Sequence, residues 1–297
     1  MIIGFGELLI DMIRGEEDGV FRHYPGGAPA NFCVGLARLG LRPRRIASVG
    51  RDFFGDMLVE SMQKENIDVS GIKRSSRKTT LVFVQLKDAV PSYIFYRQAD
   101  IDISKRDIRQ DFFENAKWFH FGSLSLTDQP IRDTLFHCLR LAKKSGLSVS
   151  FSPNIRSDLW NRSLDSYLHE ALRHVDVLIA SEDEYSYMSG KEGPKEMLDK
   201  FGIRNLIITK GKSGCEFHSN GFSIRHPAFR VSAVDTTGAG DAFSAGFVYS
   251  QIKGKTDKES LIFASAAAAL STTKKGAMSA LPTLEDIRNF TSRQLVG

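Results

Sequence analysis

Val234-Asp-Thr-Thr-Gly-Ala-Gly-Asp-Ala-Phe243 is a glycine-rich turn that runs into a helix and carries a carboxylate at its end. Gly238 and Gly240 let the backbone approach an anion. A helix starting near Ala239 aims free N–H groups and the positive end of its dipole at the same point. Asp241 falls in that first turn, where a carboxylate binds phosphate badly but is well placed to take the proton from a hydroxyl that attacks phosphate. A lone Gly-x-Gly also describes a capped helix after a tight turn, so the reading needs a second site.

That site is Tyr24-Pro-Gly-Gly-Ala-Pro-Ala-Asn-Phe-Cys-Val-Gly-Leu-Ala-Arg-Leu-Gly40. Pro29 suits a first helical turn, Phe32, Leu36 and Leu39 recur at helical spacing, and Gly40 ends the helix. Gly26 and Gly27 then precede a helix N-terminus, with Asn31 one turn in, where its amide can donate to and accept from sugar hydroxyls. Together, Gly-Gly-Ala-Pro-Ala-Asn and Asp-Thr-Thr-Gly-Ala-Gly-Asp resemble the two signatures of the ribokinase-like, or PfkB, carbohydrate kinases, in the expected order. The resemblance runs from Gly6-Glu-Leu-Leu-Ile-Asp11 to Thr273-Lys-Lys-Gly-Ala277. Within the family, Gly-Gly-Ala-Pro-Ala-Asn and Ile94-Phe-Tyr-Arg-Gln-Ala-Asp100 are most similar to bacterial fructokinases. Kinases of 2-keto-3-deoxygluconate share the Tyr-Arg pair and the Asn-x-Arg feature at Asn154 and Arg156.

Short apolar runs alternate with amphipathic segments, the pattern of a mainly parallel sheet covered by helices on both faces. Strands are expected at Ile2–Gly6, Arg45–Val49, Trp118–Phe121, Ser148–Phe151, Val175–Ala180 and Asn205–Thr209. Helices are expected at Pro29–Leu39, Asp56–Glu65, Ile131–Lys144, Leu164–Leu172, Ala239–Ser250 and Asp257–Thr273. Thr79–Leu86 and Ser92–Arg97 alternate around a short Asp-Ala-Val-Pro connection and read as an antiparallel hairpin. With Gly19–Tyr24 that hairpin is expected to form a second, small sheet. The fold implied is one ribokinase-like α/β/α kinase domain over residues 1–297, with lid strands from about 11–24 and 79–100. In the resembling family the lid covers the sugar and often makes the dimer contact, which puts Arg97 above the substrate.

Further residues are carried over by resemblance. Asp11, read as ending the first strand, would hold two sugar hydroxyls. Gly26, Gly27, Asn31, Arg97, Asn154 and Arg156 complete the substrate set. Asp241, with Gly238, Ala239 and Gly240, forms the catalytic set. Ser181-Glu-Asp-Glu184 opens a helix with a capping box; the family has Asn-x-x-Glu there, so Glu184 matches as a water-mediated Mg²⁺ holder while Ser181 does not. Thr209-Lys-Gly-Lys-Ser-Gly214 resembles the family's nucleotide turn, so Thr209, Gly211 and Gly214 join Ser181, Gly238, Gly240 and Ala267 at the ATP. It is no Walker loop, since Leu206 stands where that motif needs a glycine. Gly4-Phe-Gly-Glu-Leu-Leu9 lacks the third glycine of the dinucleotide fingerprint. Ser152-Pro-Asn replaces the family's usual Asp-Pro-Asn. Carbonyls of the loop with Asp235 and Thr237, and of the stretch from Ser271 to Gly276, are implied to surround K⁺.

Composition sets bounds. With 297 residues, 42% of them hydrophobic, the chain can bury a large core. Cys33, Cys138 and Cys215 are far apart and form no C-x-x-C pair, which points to free thiols in a reducing compartment, the cytoplasm. No apolar run is long enough to span a bilayer. The net charge of +5 is dispersed. Its one cluster, Arg42, Arg44 and Arg45, reads as a solvated face without aromatic platforms for nucleic acid. The expected protein is a cytoplasmic, homodimeric enzyme that uses ATP, Mg²⁺ and K⁺ to phosphorylate a sugar. D-Fructose leads, with 2-keto-3-deoxygluconate or a ribose or riboside behind. A nucleoside acceptor would require Phe95 or Phe121 to build a base pocket. The non-enzyme alternative is a sugar- or nucleotide-binding regulator on the same fold, against which stand Asp241 and its two glycines.

Overall fold

The computed structural model describes residues 1–294 apart from 16, 18, 88, 89 and 157. The connection expected at Asp88-Ala89 therefore lies outside the described residues. Along the chain come β1 (Ile2–Phe5), β2 (Leu9–Arg14), β3 (Phe21–Gly26), α1 (Ala28–Arg38), β4 (Arg44–Gly50), α2 (Phe53–Lys64), β5 (Asp68–Ser75), β6 (Leu81–Lys87) and β7 (Val90–Tyr96). There follow β8 (Trp118–Gly122), α3 (Ile131–Lys144), β9 (Ser148–Ser152), α4 (Asp165–Leu172), β10 (Val177–Ser181), α5 (Glu182–Ser189), α6 (Pro194–Phe201) and β11 (Asn205–Thr209). The chain closes with β12 (Cys215–Ser219), β13 (Phe222–His226), α7 (Ala239–Ile252), α8 (Asp257–Ser271) and α9 (Leu284–Gln294).

Nine of these strands form one sheet in the order β13-β12-β11-β10-β9-β8-β1-β4-β5. From β11 to β5 every pairing is parallel, and the edge hairpin β12–β13 is antiparallel. Strands buried on both faces carry unbroken apolar runs, as Leu206, Ile207 and Ile208 do in β11. One face packs on α1, α2, α7 and α8 through residues such as Phe32, Leu58, Phe247 and Leu261. The other packs on α3, α4 and α6 through Leu135, Leu168 and Met197. Gly35 brings α1 so close to α7 that a Cβ there would stand 2.7 Å from that of Ala245.

The second sheet has the order β3-β2-β6-β7. Cross-strand register puts Asp11, Tyr24, Val82 and Phe95 on one face and Met12, His23, Phe83 and Ile94 on the other. This corrects the expectation for Asp11: it does not end the first strand but lies within β2, in the small sheet. Leu9 and Ile10 are both buried, so Leu9–Arg14 shows no alternation that would mark a strand.

The arginine cluster also departs from expectation. Arg45 is fully buried. Its guanidinium donates to the carbonyls of Gly4 (2.5 Å) in β1 and of Gly6 (3.0 Å) and Glu7 (2.6 Å) just after it. Arg44 pairs with Asp68 at 2.8 Å. Of the three, Arg42 alone is exposed. Cys33, Cys138 and Cys215 are free and buried. Among the described residues no helix is long and apolar enough to cross a membrane.

Candidate active site

α7 begins without a side-chain cap. Gly238 is the N-cap at φ 78, a conformation only glycine adopts without strain, and a Cβ there would stand 2.9 Å from that of Ala277. The first intrahelical bond runs from Ala242 N–H to Gly238 C=O, which leaves the N–H groups of Gly240 and Asp241 ahead of the ladder. Nothing lies within 4 Å of where a Cβ at Gly240 would stand, so the approach to that turn is open. Asp241 is half-buried, and its pKa rises to about 7. Burial is the main cause and Glu7 and Glu184 add to it, against the Asn31 hydrogen bond and the Arg156 charge.

Opposite stands α1, with Gly27 as N-cap at φ 112. Asn31 Nδ2 donates to Asp241 Oδ2 at 2.8 Å, so the two sequence signatures meet across 210 positions. Asn31 was expected on the sugar; here its amide N–H holds the carboxylate, while its buried Oδ1 has no partner. Asp11 approaches the same place from β2, directly beside Gly26, where any Cβ would collide with its carboxylate. Its pKa also rises to about 7, chiefly by burial, with Arg156 opposing and Glu7 adding. Glu7, which sequence reading assigned no role, is buried between them. Its Oε1 accepts from Ala28 N–H at 3.0 Å and its Oε2 has no partner. Burial pushes its carboxyl above the ordinary range despite nearby Arg45 and Arg97. The available signal was a lone charge between Gly6 and the apolar Leu8-Leu9-Ile10.

The two arginines exchange parts. Arg97 follows β7 instead of standing on it, and its side chain is 7% exposed. Its Nε and Nη2 donate to Asp100 at 2.8 and 2.5 Å, and its Nη1 donates to Leu124 C=O, Asp128 and Thr127. Burial works against its charge, but Asp100 and Asp128 outweigh that and hold its pKa above the ordinary range. Arg97 was expected above the substrate; in this structure its guanidinium bonds Asp100, Asp128, Thr127 and the Leu124 carbonyl, and so ties the strand end to the loop after β8. Arg156, in the loop after β9, takes the place facing the carboxylates. Its guanidinium lies 4.5 Å from the ring centroid of Tyr93 on β7, bridging the small sheet and the main body.

The ends of β9, β10 and β11 bring the remaining residues to the same edge, where ligands bind in parallel sheets. Ser181 and Glu184 form a reciprocal capping box. Glu184 Oε1 accepts from Ile155 N–H at 3.1 Å, and Oε2 accepts from Ser181 N–H and Oγ, both at 2.8 Å. Asn154 sits at φ 48 next to that contact, and Ser152 Oγ bonds Ser244 Oγ at 2.8 Å. The Thr209–Gly214 turn closes through Lys210 N–H to Gly214 C=O at 2.8 Å, with Gly211 and Gly214 at positive φ. Ala267 is 2% exposed on α8, packed against Gly246 of α7.

Among the described residues no three His, Cys, Asp or Glu side chains are grouped to hold a metal. Glu184 accepts three hydrogen bonds and keeps one of a carboxylate's roughly four lone-pair sites, which fits a water-mediated hold on a cation carried by nucleotide phosphates. Asp235 accepts from Thr237 N–H and Oγ1 and from Gly276 N–H at 2.8 Å; these bonds hold its pKa below the ordinary range against the effect of burial. Its side chain thus staples the loop before α7 to the stretch that follows α8. Ser271 is buried with its hydroxyl donating to Ala268 C=O.

Comparison with known proteins agrees with this geometry. The chain matches the pfkB family of carbohydrate kinases over residues 1–284. It is 40% identical over 291 residues to an uncharacterized sugar kinase of Pyrococcus horikoshii, covering 94% of this chain and 92% of that protein. The fructokinase of Xylella fastidiosa, solved with bound ATP, superposes with a TM-score of 0.93 at 31% identity, covering 99% of this chain and 98% of that one. Fructokinase from Vibrio cholerae O395, solved with fructose, ADP and a calcium ion, does so with a TM-score of 0.88 at 29% identity, covering 97% and 98%.

Proposed function

We propose, since the chain belongs to the pfkB family of carbohydrate kinases, that this ATP-dependent sugar kinase phosphorylates D-fructose at a primary hydroxyl. The observation that carries the mechanism is Asp241, with a pKa of about 7, beside the uncapped N–H groups of α7. A carboxylate there removes the hydroxyl proton as the oxygen attacks. The N–H groups of Gly240 and Asp241 receive the charge on the transferring phosphoryl group. The Thr209–Gly214 turn would hold ATP, and Glu184 would hold its Mg²⁺ through water, the ion supplying charge neutralisation at the phosphates. Carbonyls of the loops joined by Asp235 and Gly276 would hold K⁺.

Asp11, Gly26 and Gly27 hold the sugar from the small sheet and α1, and Arg156 closes over it. The second sheet acts as a lid, limiting transfer to water. Its outer face shows Phe21, Ile94 and Tyr96, at 39%, 58% and 58% exposure, and we assign homodimer contact to that face. Three buried free thiols suit a reducing cytoplasm.

Fructose is supported by the fructokinase structures aligned over nearly all of this chain. The second reading, 2-keto-3-deoxygluconate, is favoured by Arg156, whose guanidinium faces the site and makes no carboxylate ion pair among the described residues. Phosphorylation assays on fructose, 2-keto-3-deoxygluconate, ribose, aminoimidazole riboside and adenosine separate the readings. Fructose should show the highest kcat/KM. A tenfold preference for another acceptor, about 1.4 kcal/mol, ends the fructose assignment and leaves the sugar kinase. ATP turnover with none of them leaves the regulatory protein.

A further inference from the structure

We infer that Glu7 is a positioning residue for phosphoryl transfer: from beneath the Gly26–Gly27 turn it sets the N-terminus of α1, and through Asn31 the carboxylate of Asp241. The inference rests on Asp241 being the base. Each link is a contact. Glu7 Oε1 accepts the first N–H of α1, from Ala28, at 3.0 Å inside the protein. Gly27 lies against the Glu7 backbone, so that a Cβ would come within 2.5 Å of the Glu7 carbonyl. Asn31 N–H bonds Gly27 C=O at 2.9 Å, and Asn31 Nδ2 bonds Asp241 at 2.8 Å. Arg45 fixes the other side through the Gly4, Gly6 and Glu7 carbonyls.

The geometry answers a local problem. A helix that begins at Gly27 has no side chain of its own to cap it, and a Ser or Asp there would be strained at φ 112 and would strike Glu7. A carboxylate from the connection between β1 and β2 supplies the cap instead. It also brings a negative charge within reach of both Asp11 and Asp241. The charged groups around this point are Arg45 from β4, Arg97 beyond β7, Asp11 from β2, Arg156 from the loop after β9, Glu184 from α5 and Asp241 from α7.

Two substitutions separate the cap from the charge. Glu7→Gln keeps an acceptor for Ala28 N–H and removes the charge. Its kcat at high pH should stay within about threefold of the parent, while the acid limb of kcat/KM moves to lower pH by half a unit or more, because one like charge facing Asp241 is gone. Glu7→Ala removes both and should lower kcat by about tenfold or more, and in an Asn31→Ala background it should add little further loss. An unmoved acid limb in Glu7→Gln, with a stability loss alone, overturns the inference even if Glu7→Ala fails to fold. Additive kcat losses for Glu7→Ala and Asn31→Ala overturn it as well. Asp241→Asn assayed alongside tells the two failures apart: near-normal kcat there removes the base and this inference together, whereas a large loss there with an unmoved limb removes Glu7 alone.

Discussion

Two helix starts face the same sheet edge and are finished differently. At α5, Ser181 and Glu184 cap each other, and Glu184 also secures the loop at Ile155, so the free N–H groups are answered from within. At α7 the N-cap is Gly238, with no side chain to offer, and the turn opens to solvent at Gly240. A helix N-terminus answered by its own residues serves structure; one left unanswered beside a raised carboxylate is a receptor for an anion. The contrast separates a scaffold from a reaction site more sharply than the glycine pattern does, since both regions show helix-start signals in sequence.

The most severe way to break the contrast is Asp241→Asn. It should lower kcat by roughly 10²–10⁴-fold with sugar affinity little changed, as single-turnover and binding measurements would check. Near-normal kcat would remove Asp241 as the base. Gly238→Ala comes next: strained at φ 78 and crowded by Ala277, it should misalign the N–H groups and lower kcat by about 10²-fold, the size expected for losing one such donor. An active variant would show that the turn tolerates a cap.

A pH series tests the carboxylate more gently. With the Asp241 pKa at about 7, kcat/KM should rise about tenfold from pH 6 to 8 and then level off. A limb steeper than one proton would bring in Asp11, raised to the same range. The linkage to stability has the opposite sense. The folded protein keeps protons that the unfolded chain releases between about pH 4 and 7, so stability falls as pH rises through that window. Asp241→Asn should accordingly melt about 2–4 °C higher than the parent at pH 8, roughly the shift 1 kcal/mol makes in a large domain. Ser181→Ala should show the smallest effect: about 1 kcal/mol of stability, for the lost cap. A rise in KM for ATP beyond twofold would instead make Ser181 a nucleotide contact.

The sequence discloses what local spacing encodes. The turns at Gly26-Gly27 and Gly238-Ala-Gly240, the helices after them and the parallel core strands were readable because each is set by neighbours within a few positions. β2 was not, because Leu9 and Ile10 are both buried and Leu9–Arg14 has no period of two. Arg45 and Glu7 were misread or passed over for a shared reason: the groups that decide their environment lie far along the chain. The partners are Gly4 and Gly6 for Arg45 and Ala28 for Glu7, while Arg97 joins its neighbour Asp100 to the distant Leu124 and Asp128. A guanidinium looks the same in sequence whether it will meet water, a carbonyl rim or a carboxylate pair.

The Asn31–Asp241 contact also sets an order of manufacture. Because it joins residues 210 positions apart, a chain growing from its N-terminus completes β2, the small sheet and α1 long before α7 leaves the ribosome. At typical synthesis rates of about 5–20 residues per second, the 145 positions from Tyr96 at the end of β7 to Asp241 take roughly seven to thirty seconds, during which the small sheet exists without the base. A nascent or truncated chain that ends before α7 therefore lacks the carboxylate needed to consume ATP. Phosphoryl transfer is switched on by the last quarter of translation, once the molecule that must exclude water from it is nearly whole.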